Sequence, residues 1–315
     1  MLYRNQIGEA QAPPPYTFPN VSINSFRLAA DFDQLTALCD EVLNVGDLED
    51  RGFEFRPISR YVDIEVLYYP RMEYAYFPPL GYIKQSELCV RIFVMKYIAL
   101  GDLLVPDGEL LIFCPFLIVD NPLSAFAGRD VLGFPKLLGT FTATAAESPF
   151  TTVSAPVFTT FFGEVMAAPQ PVVTIEAAGP GATAARVPRE KWPWGEIDAS
   201  AMNLAHQALG RSIVPTPGFF GCVLMKQFRD PVVPINACYQ AILQAYTFIE
   251  ATGDIETLPA ARITINDYPS LELASRLGIS AGAPLAPVLQ YHMECSFAFG
   301  EVLTLFANNS PWWWL

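Results

Sequence analysis

The first clear periodic signal is Asp31 to Leu43, DFDQLTALCDEVL, where Phe32, Leu35, Leu38, Cys39 and Val42 recur at helical spacing. That period puts one apolar stripe on a helix face, and the acidic residues at its start suit an N-terminal cap. A second helix is predicted for SLELASRLGI after Pro269, with Ser270 as N-cap and Gly278 as the stop. From Tyr61 the texture changes to β-branched and aromatic runs broken by turn residues. These are YVDIEVLYY, CVRIFVMKYIAL, ELLIFCPFLIV, TFTAT, PVFTTFF, VVTIEA, GCVLMKQF and ARITIND, with VLQYHMECSFAF as the last strand. Several are apolar on both faces, as in strands buried in a closed barrel or between layers, and their short spacing predicts antiparallel rather than βαβ order. The expected fold class is therefore α+β, predominantly antiparallel β.

The opening residues are rich in Pro and read as an extended arm, 1–25, ahead of one domain, 26–315. Residues 179–217 are the least regular part of the chain. Strand-like runs continue beyond them and need partners, so they read as an insertion within that domain, with a short helix at Ala199 to Leu209. The tail PWWWL is too apolar to sit well in water, which points to packing on the body or at a subunit contact.

With 315 residues, 52% hydrophobic and 16% charged, the chain is long and apolar enough to bury a large core. A net charge of -13 without a run of Lys or Arg argues against nucleic acid and against an anionic membrane surface as partners. The N-terminus has no apolar segment behind a basic start, and no run approaches the roughly 18 apolar residues of a spanning helix, so the chain reads as cytoplasmic. Six cysteines, at 39, 89, 114, 222, 238 and 295, are scattered without a CxxC pair and read as buried free thiols. No HExxH, P-loop or GxGxxG occurs, so neither a metal nor a nucleotide cofactor is expected. The segment Gly278 to Gly282, GISAG, has the spacing of a serine-hydrolase elbow. Its flanking elements come in the wrong order, and no carboxylate separates Ser280 from His292, so it reads as a helix-terminating loop.

Lysine is scarce: only Lys84, Lys96, Lys136, Lys191 and Lys226 occur. Lys136 lies in VLGFPKLLGTF, where a lysine must either snorkel to solvent or lose its charge. The wider segment, IVDNPLSAFAGRDVLGFPKLL, resembles the lysine-bearing signature of the acetoacetate decarboxylase family through Asp120, Asn121, Ala125, Gly128, Arg129, Gly133, Phe134, Pro135 and Lys136. Weaker similarity extends over most of the chain, from PYTFPN at Pro15 through VDIEVLYY, LGYIKQSELCVRIFV and CVLMKQF. The resemblance implies a cone-like closed β-barrel with flanking helices, a homo-oligomer, and Schiff-base chemistry on a small keto substrate without a cofactor. Lys136 is then the nucleophile, and Glu65 matches a second active-site carboxylate. Arg129 and Phe134 of the motif join Val21, Gln85, Glu87 and Leu137 as candidate substrate-binding residues. Three of these depart from the family: Val21 stands where it has an Arg that helps position a carboxylate, Gln85 where it has a Glu, and Leu137 where it has a second Lys. Glu87 falls on the same strand face as Gln85 and can stand in for the missing Glu.

A lysine attacks a ketone only as the neutral amine, and with an ordinary pKa near 10.4 roughly one in 2,500 is neutral at pH 7. With Leu137 in place of a second cation, activation is expected to come from burial among Phe134, Leu137 and Leu138. The iminium withdraws electrons from the adjacent carbon, so loss of carbon dioxide or of a proton gives an enamine. The expected function is a Schiff-base lyase working by decarboxylation or by aldol and dehydration chemistry. The alternative is a non-catalytic small-ligand-binding barrel.

Overall fold

The computed structural model describes residues 14–74, 81–143, 145, 147–179 and 219–308. The strands are β1 (Tyr16–Ala29), β2 (Phe53–Pro57), β3 (Tyr61–Tyr74), β4 (Tyr82–Leu100), β5 (Leu103–Val119), β6 (Lys136–Leu138), β7 (Thr140–Ala143), β8 (Thr151–Val157) and β9 (Ala168–Ala177). Later in the chain come β10 (Phe219–Arg229), β11 (Ala237–Thr257), β12 (Ala261–Ile265) and β13 (Leu289–Asn308). Helices α1 (Phe32–Val42), α2 (Leu48–Arg51), α3 (Pro122–Ala127) and α4 (Leu273–Leu277) are short, and a π-helical turn spans Gly128–Leu132. None of the described helices is long and apolar enough to cross a membrane.

Nine strands form one sheet in the order β2-β4-β3-β1-β13-β11-β10-β5-β6, with β4 also paired to β5; β12-β9-β8-β7 form a second sheet. The main sheet is mixed, which the sequence pattern did not predict: β10 and β6 both run parallel to β5. The β5 to β6 connection is a crossover through α3 and the π turn, the kind of long return that parallel neighbours require.

Alternate residues of the main sheet feed two cores. Phe26, Val66, Leu88, Val90 and Phe113 face outward, onto Leu35 and Cys39 of α1, Leu273 and Leu277 of α4, and Val153, Ile175 and Ile263 of the second sheet. Val21, Ile23, Leu67, Cys89, Cys114 and Met293 face inward and pack together with Phe18, Tyr69 and Phe134. This two-sided burial explains why the strands carry near-continuous apolar runs.

Several sequence expectations are corrected. Residues 16–25 of the expected arm belong to β1, between β13 and β3; the register breaks from Phe18 to Val21, around Pro19, which has no N–H to give the ladder. Strand β8 ends at Val157, so the PVFTTFF run is only partly a strand, and Phe161 and Phe162 are exposed. Strand β11 was not predicted at all. Asp31 caps α1 as expected, accepting from the Asp33 and Gln34 N–H groups. At α4 the start is Glu272 rather than Ser270, and Asp267 accepts from the first-turn amides of Ala274 and Ser275. Gly278 terminates that helix with a left-handed φ of 65°. Cys238 is exposed, whereas the other five cysteines are buried. The expected helix at Ala199 to Leu209 and the PWWWL tail lie outside the described residues.

Candidate active site

The GRDVLGFPK segment builds the crossover that carries Lys136. Asn121 caps α3 by accepting from the Leu123 and Ser124 amides, with Pro122 in the first turn. The same corner is tied to β4: Asp120 accepts from the Ser86 N–H at 2.8 Å, and the Asn121 side chain donates to the Lys84 carbonyl at 3.0 Å. Gly133 ends the π turn at φ 85°, a conformation that favours glycine. A methyl group at Gly128 would lie 2.7 Å from Lys136 Cδ, so the lysine side chain is threaded over a residue that has none. Lys136 then pairs with Leu117 of β5.

Lys136 is buried, and Nζ donates to Glu87 Oε2 and to Ser124 Oγ, both at 3.0 Å. Glu87 also accepts from Gln85 Nε2 at 3.0 Å and from the Tyr69 hydroxyl at 3.2 Å. Burial, reinforced by the Glu87 charge, holds the Tyr69 phenol well above its ordinary pKa, so it stays a donor. The Nζ also lies 5.7 Å from the centre of the Phe134 ring. The amine therefore does not sit among purely apolar side chains, as the sequence suggested; a carboxylate is its direct neighbour.

These groups line a cavity of about 60 Å³ with Tyr16, Phe18, Ser124 and Phe299. Gln85 Oε1 is buried there without a hydrogen-bond partner, open to a donor from a bound molecule. A second, inner chamber of about 140 Å³ shares Tyr69, Glu87, Leu117, Phe134 and Phe299 as walls with the first. Glu65 belongs to this inner chamber and not to the Lys136 cavity. It contacts Arg91 at 2.7 Å, and Arg91 also pairs with Asp63, which Arg27 holds from the other side.

The remaining candidates are dispersed. Val21 is fully buried in the inner core and borders neither chamber. Leu137 points to the opposite face from Lys136 and packs on the outer core. Exposed Arg129 and half-buried Leu137 border a further cleft of about 300 Å³, which Phe134 and Lys136 also line. Ser124, Tyr69 and Arg91 were missed by sequence reasoning. Ser124 had a local signal, three residues after the Asn121 cap inside the motif; Tyr69 and Arg91 had only strand parity with Glu65 and Glu87.

Burial pushes the Glu65 carboxyl from 4.5 up to about 7, with Arg91 opposing and Asp63 adding to the rise. The folded state thus holds this proton more tightly than the unfolded chain does. Stability from this group is fully present below about pH 4.5 and is lost as pH rises towards 7, by roughly 3 kcal/mol at most. In urea titrations from pH 5 to 8, Glu65→Gln is expected to flatten the decline and to exceed the wild type at pH 8. A variant curve parallel to the wild type's would show that Glu65 does not titrate in this range.

Neither a family model nor a curated protein matches the sequence. Solved structures do. An acetoacetate decarboxylase from Legionella pneumophila aligns over 97% of this chain and 93% of its own, with TM-score 0.57 and 13% identity. The chain has the acetoacetate decarboxylase fold. A further acetoacetate decarboxylase structure aligns at TM-score 0.51, covering 96% of each chain at 13% identity. The enduracididine biosynthesis enzyme MppR, in complex with pyruvate, aligns at TM-score 0.57 over 95% of this chain and 93% of its own, also at 13% identity. The acetoacetate decarboxylase fold thus frames the crossover and both chambers described above.

Proposed function

We propose that this protein is a Schiff-base-forming carbon-carbon lyase acting on a keto substrate through Lys136. The observation that carries the reading is a buried amine at a cavity wall, aligned on a carboxylate and a hydroxyl at 3.0 Å. The decarboxylase and pyruvate-binding neighbours of the same fold support it.

The proton on Nζ passes to Glu87 Oε2, leaving a neutral amine whose direction Ser124 fixes. The nitrogen attacks the ketone carbon, its surplus proton passes to the carbonyl oxygen, and a neutral carbinolamine forms. Glu87 returns its proton to the departing hydroxyl, which leaves as water, and the iminium faces the regenerated carboxylate. A bond of the carbon adjacent to the iminium carbon then breaks, releasing carbon dioxide or a proton, and its electron pair enters the iminium to give an enamine. Protonation of the enamine carbon and hydrolysis release product and free the lysine. In this scheme Glu87 is the proton relay of the amine.

The additional β4 to β5 pairing supports reading the main sheet as closed into a barrel around the two chambers, within a single domain. Assembly into a homo-oligomer is part of the same reading, measurable by light scattering.

The test is borohydride reduction in the presence of acetylacetone, acetoacetate, pyruvate and a longer methyl ketone, with the mass increase mapped by peptide. An adduct on Lys136 is expected with at least one of them, and carbon dioxide release distinguishes decarboxylation from aldol chemistry. No adduct, or one on another lysine, overturns the reading in favour of a non-catalytic binding protein.

A further inference from the structure

The inner chamber has polar groups that the protein itself leaves unanswered. Arg91 Nε, Glu65 Oε1 and Thr247 Oγ1 border it, are buried, and have no hydrogen-bond partner; the 2.7 Å Arg91 to Glu65 contact is an ion pair without hydrogen-bond alignment. Orphaned buried polar atoms cost free energy unless something bound satisfies them. Apart from Tyr69 and Glu87 on the wall shared with the Lys136 cavity, the rest of the chamber is apolar or thiol-lined, by residues such as Ile23, Leu67, Ile112 and Met293. It suits a ligand with an apolar middle and one polar end.

Strand geometry sets the span. Gln85, Glu87, Cys89 and Arg91 alternate onto the inner face of β4, so Glu87 beside the amine and Arg91 in the inner chamber are four residues apart, about 13 Å along the strand. Ketone and carboxyl in pyruvate or acetoacetate are separated by one or two bonds, too few to reach both groups.

We propose that the inner chamber holds the distal carboxyl group of a longer oxo acid whose ketone carbon meets Lys136, with Arg91 Nε, Glu65 and Thr247 as its partners. This rests on the Schiff-base reading for the ketone end only. The charges agree. Arg27 and Arg91 face Asp63 and Glu65, with Arg91 donating to the Tyr291 hydroxyl at 3.2 Å and Glu87, Tyr69 and the thiols of Cys89, Cys114 and Cys295 around the margin. An incoming carboxylate balances the two arginines once Glu65 carries a proton, and burial already holds that group near pH 7. The distal carboxyl is a handle and not the group that leaves.

The test compares initial rates of borohydride trapping for 4-oxopentanoate, 5-oxohexanoate, 6-oxoheptanoate and 7-oxooctanoate, each against the uncharged methyl ketone of equal chain length. Preference for the acid is expected to rise with length and to reach at least tenfold at 6-oxoheptanoate. Arg91→Met should reduce it below twofold while the uncharged ketone still labels Lys136. Because Arg91 is ion-paired, the conservative Thr247→Val serves as a second variant, expected to cut the preference three- to tenfold. Equal labelling of acid and ketone, or a preference that survives both substitutions, overturns the proposal and leaves water as the chamber's occupant. If no ketone labels Lys136, the Schiff-base reading fails by itself, and calorimetry with heptanoate decides the chamber separately. Binding that Thr247→Val weakens supports it, and no binding overturns it.

Discussion

Glu87→Gln is expected to slow borohydride-trappable adduct formation at Lys136 by about 10² to 10⁴, the usual contribution of a positioned general acid-base group. The amide keeps the shape of the carboxylate and can still accept from Lys136 Nζ, so loss of a contact is not what is tested. It cannot take the proton from the ammonium or return one to the carbinolamine hydroxyl. Gln85 and Tyr69, which both donate to Glu87, would have to reorient around the new NH₂ group. Urea unfolding of the variant should show that the fold persists. Single-turnover trapping within threefold of the wild type would assign the proton transfers to solvent instead.

The second large effect is expected from a single methyl group. In Gly128→Ala the new Cβ would meet Lys136 Cδ at 2.7 Å and Cε at 2.9 Å, closer than carbon atoms pack. The neighbour is the flexible end of a side chain, so the lysine can swing away at a stability cost of about 1 kcal/mol or less. Nζ then leaves its contacts with Glu87 and Ser124. Because a displacement of about 1 Å can cost on the order of 10²-fold, trapping should fall by about that factor while the unfolding midpoint hardly moves. A Gly128→Ala protein that traps ketones at the wild-type rate would show that the lysine does not need this path.

The site was legible where its parts are contiguous in the chain. The motif from Asp120 to Lys136 encodes local roles: a cap at Asn121, a residue without a side chain at Gly128 and a left-handed stop at Gly133. Glu87 could be picked out from the period of two along β4. Strand β11 was hidden because Gln240, Gln244 and Thr247 interrupt its apolar pattern, although Gln244 and Thr247 are buried in the fold. The proline-rich start hid β1 from the local pattern, although PYTFPN resembles the family's N-terminal strand; the ladder accommodates Pro19 at an irregularity. The cap of α4 comes from Asp267, beyond the reach of a local capping rule.

The sequence by itself determined the strand-dominated class and the identity of the buried lysine, since each depends on residues within one strand or one contiguous motif. Tertiary structure alone decided what surrounds that lysine. It set Glu87 and Ser124 on the amine and turned Leu137 to the outer core. It also separated Glu65 from Lys136 into a second chamber with Arg91. Those relations depend on the register between β3, β4 and β5 and on the parallel return of β6, which no local pattern specifies.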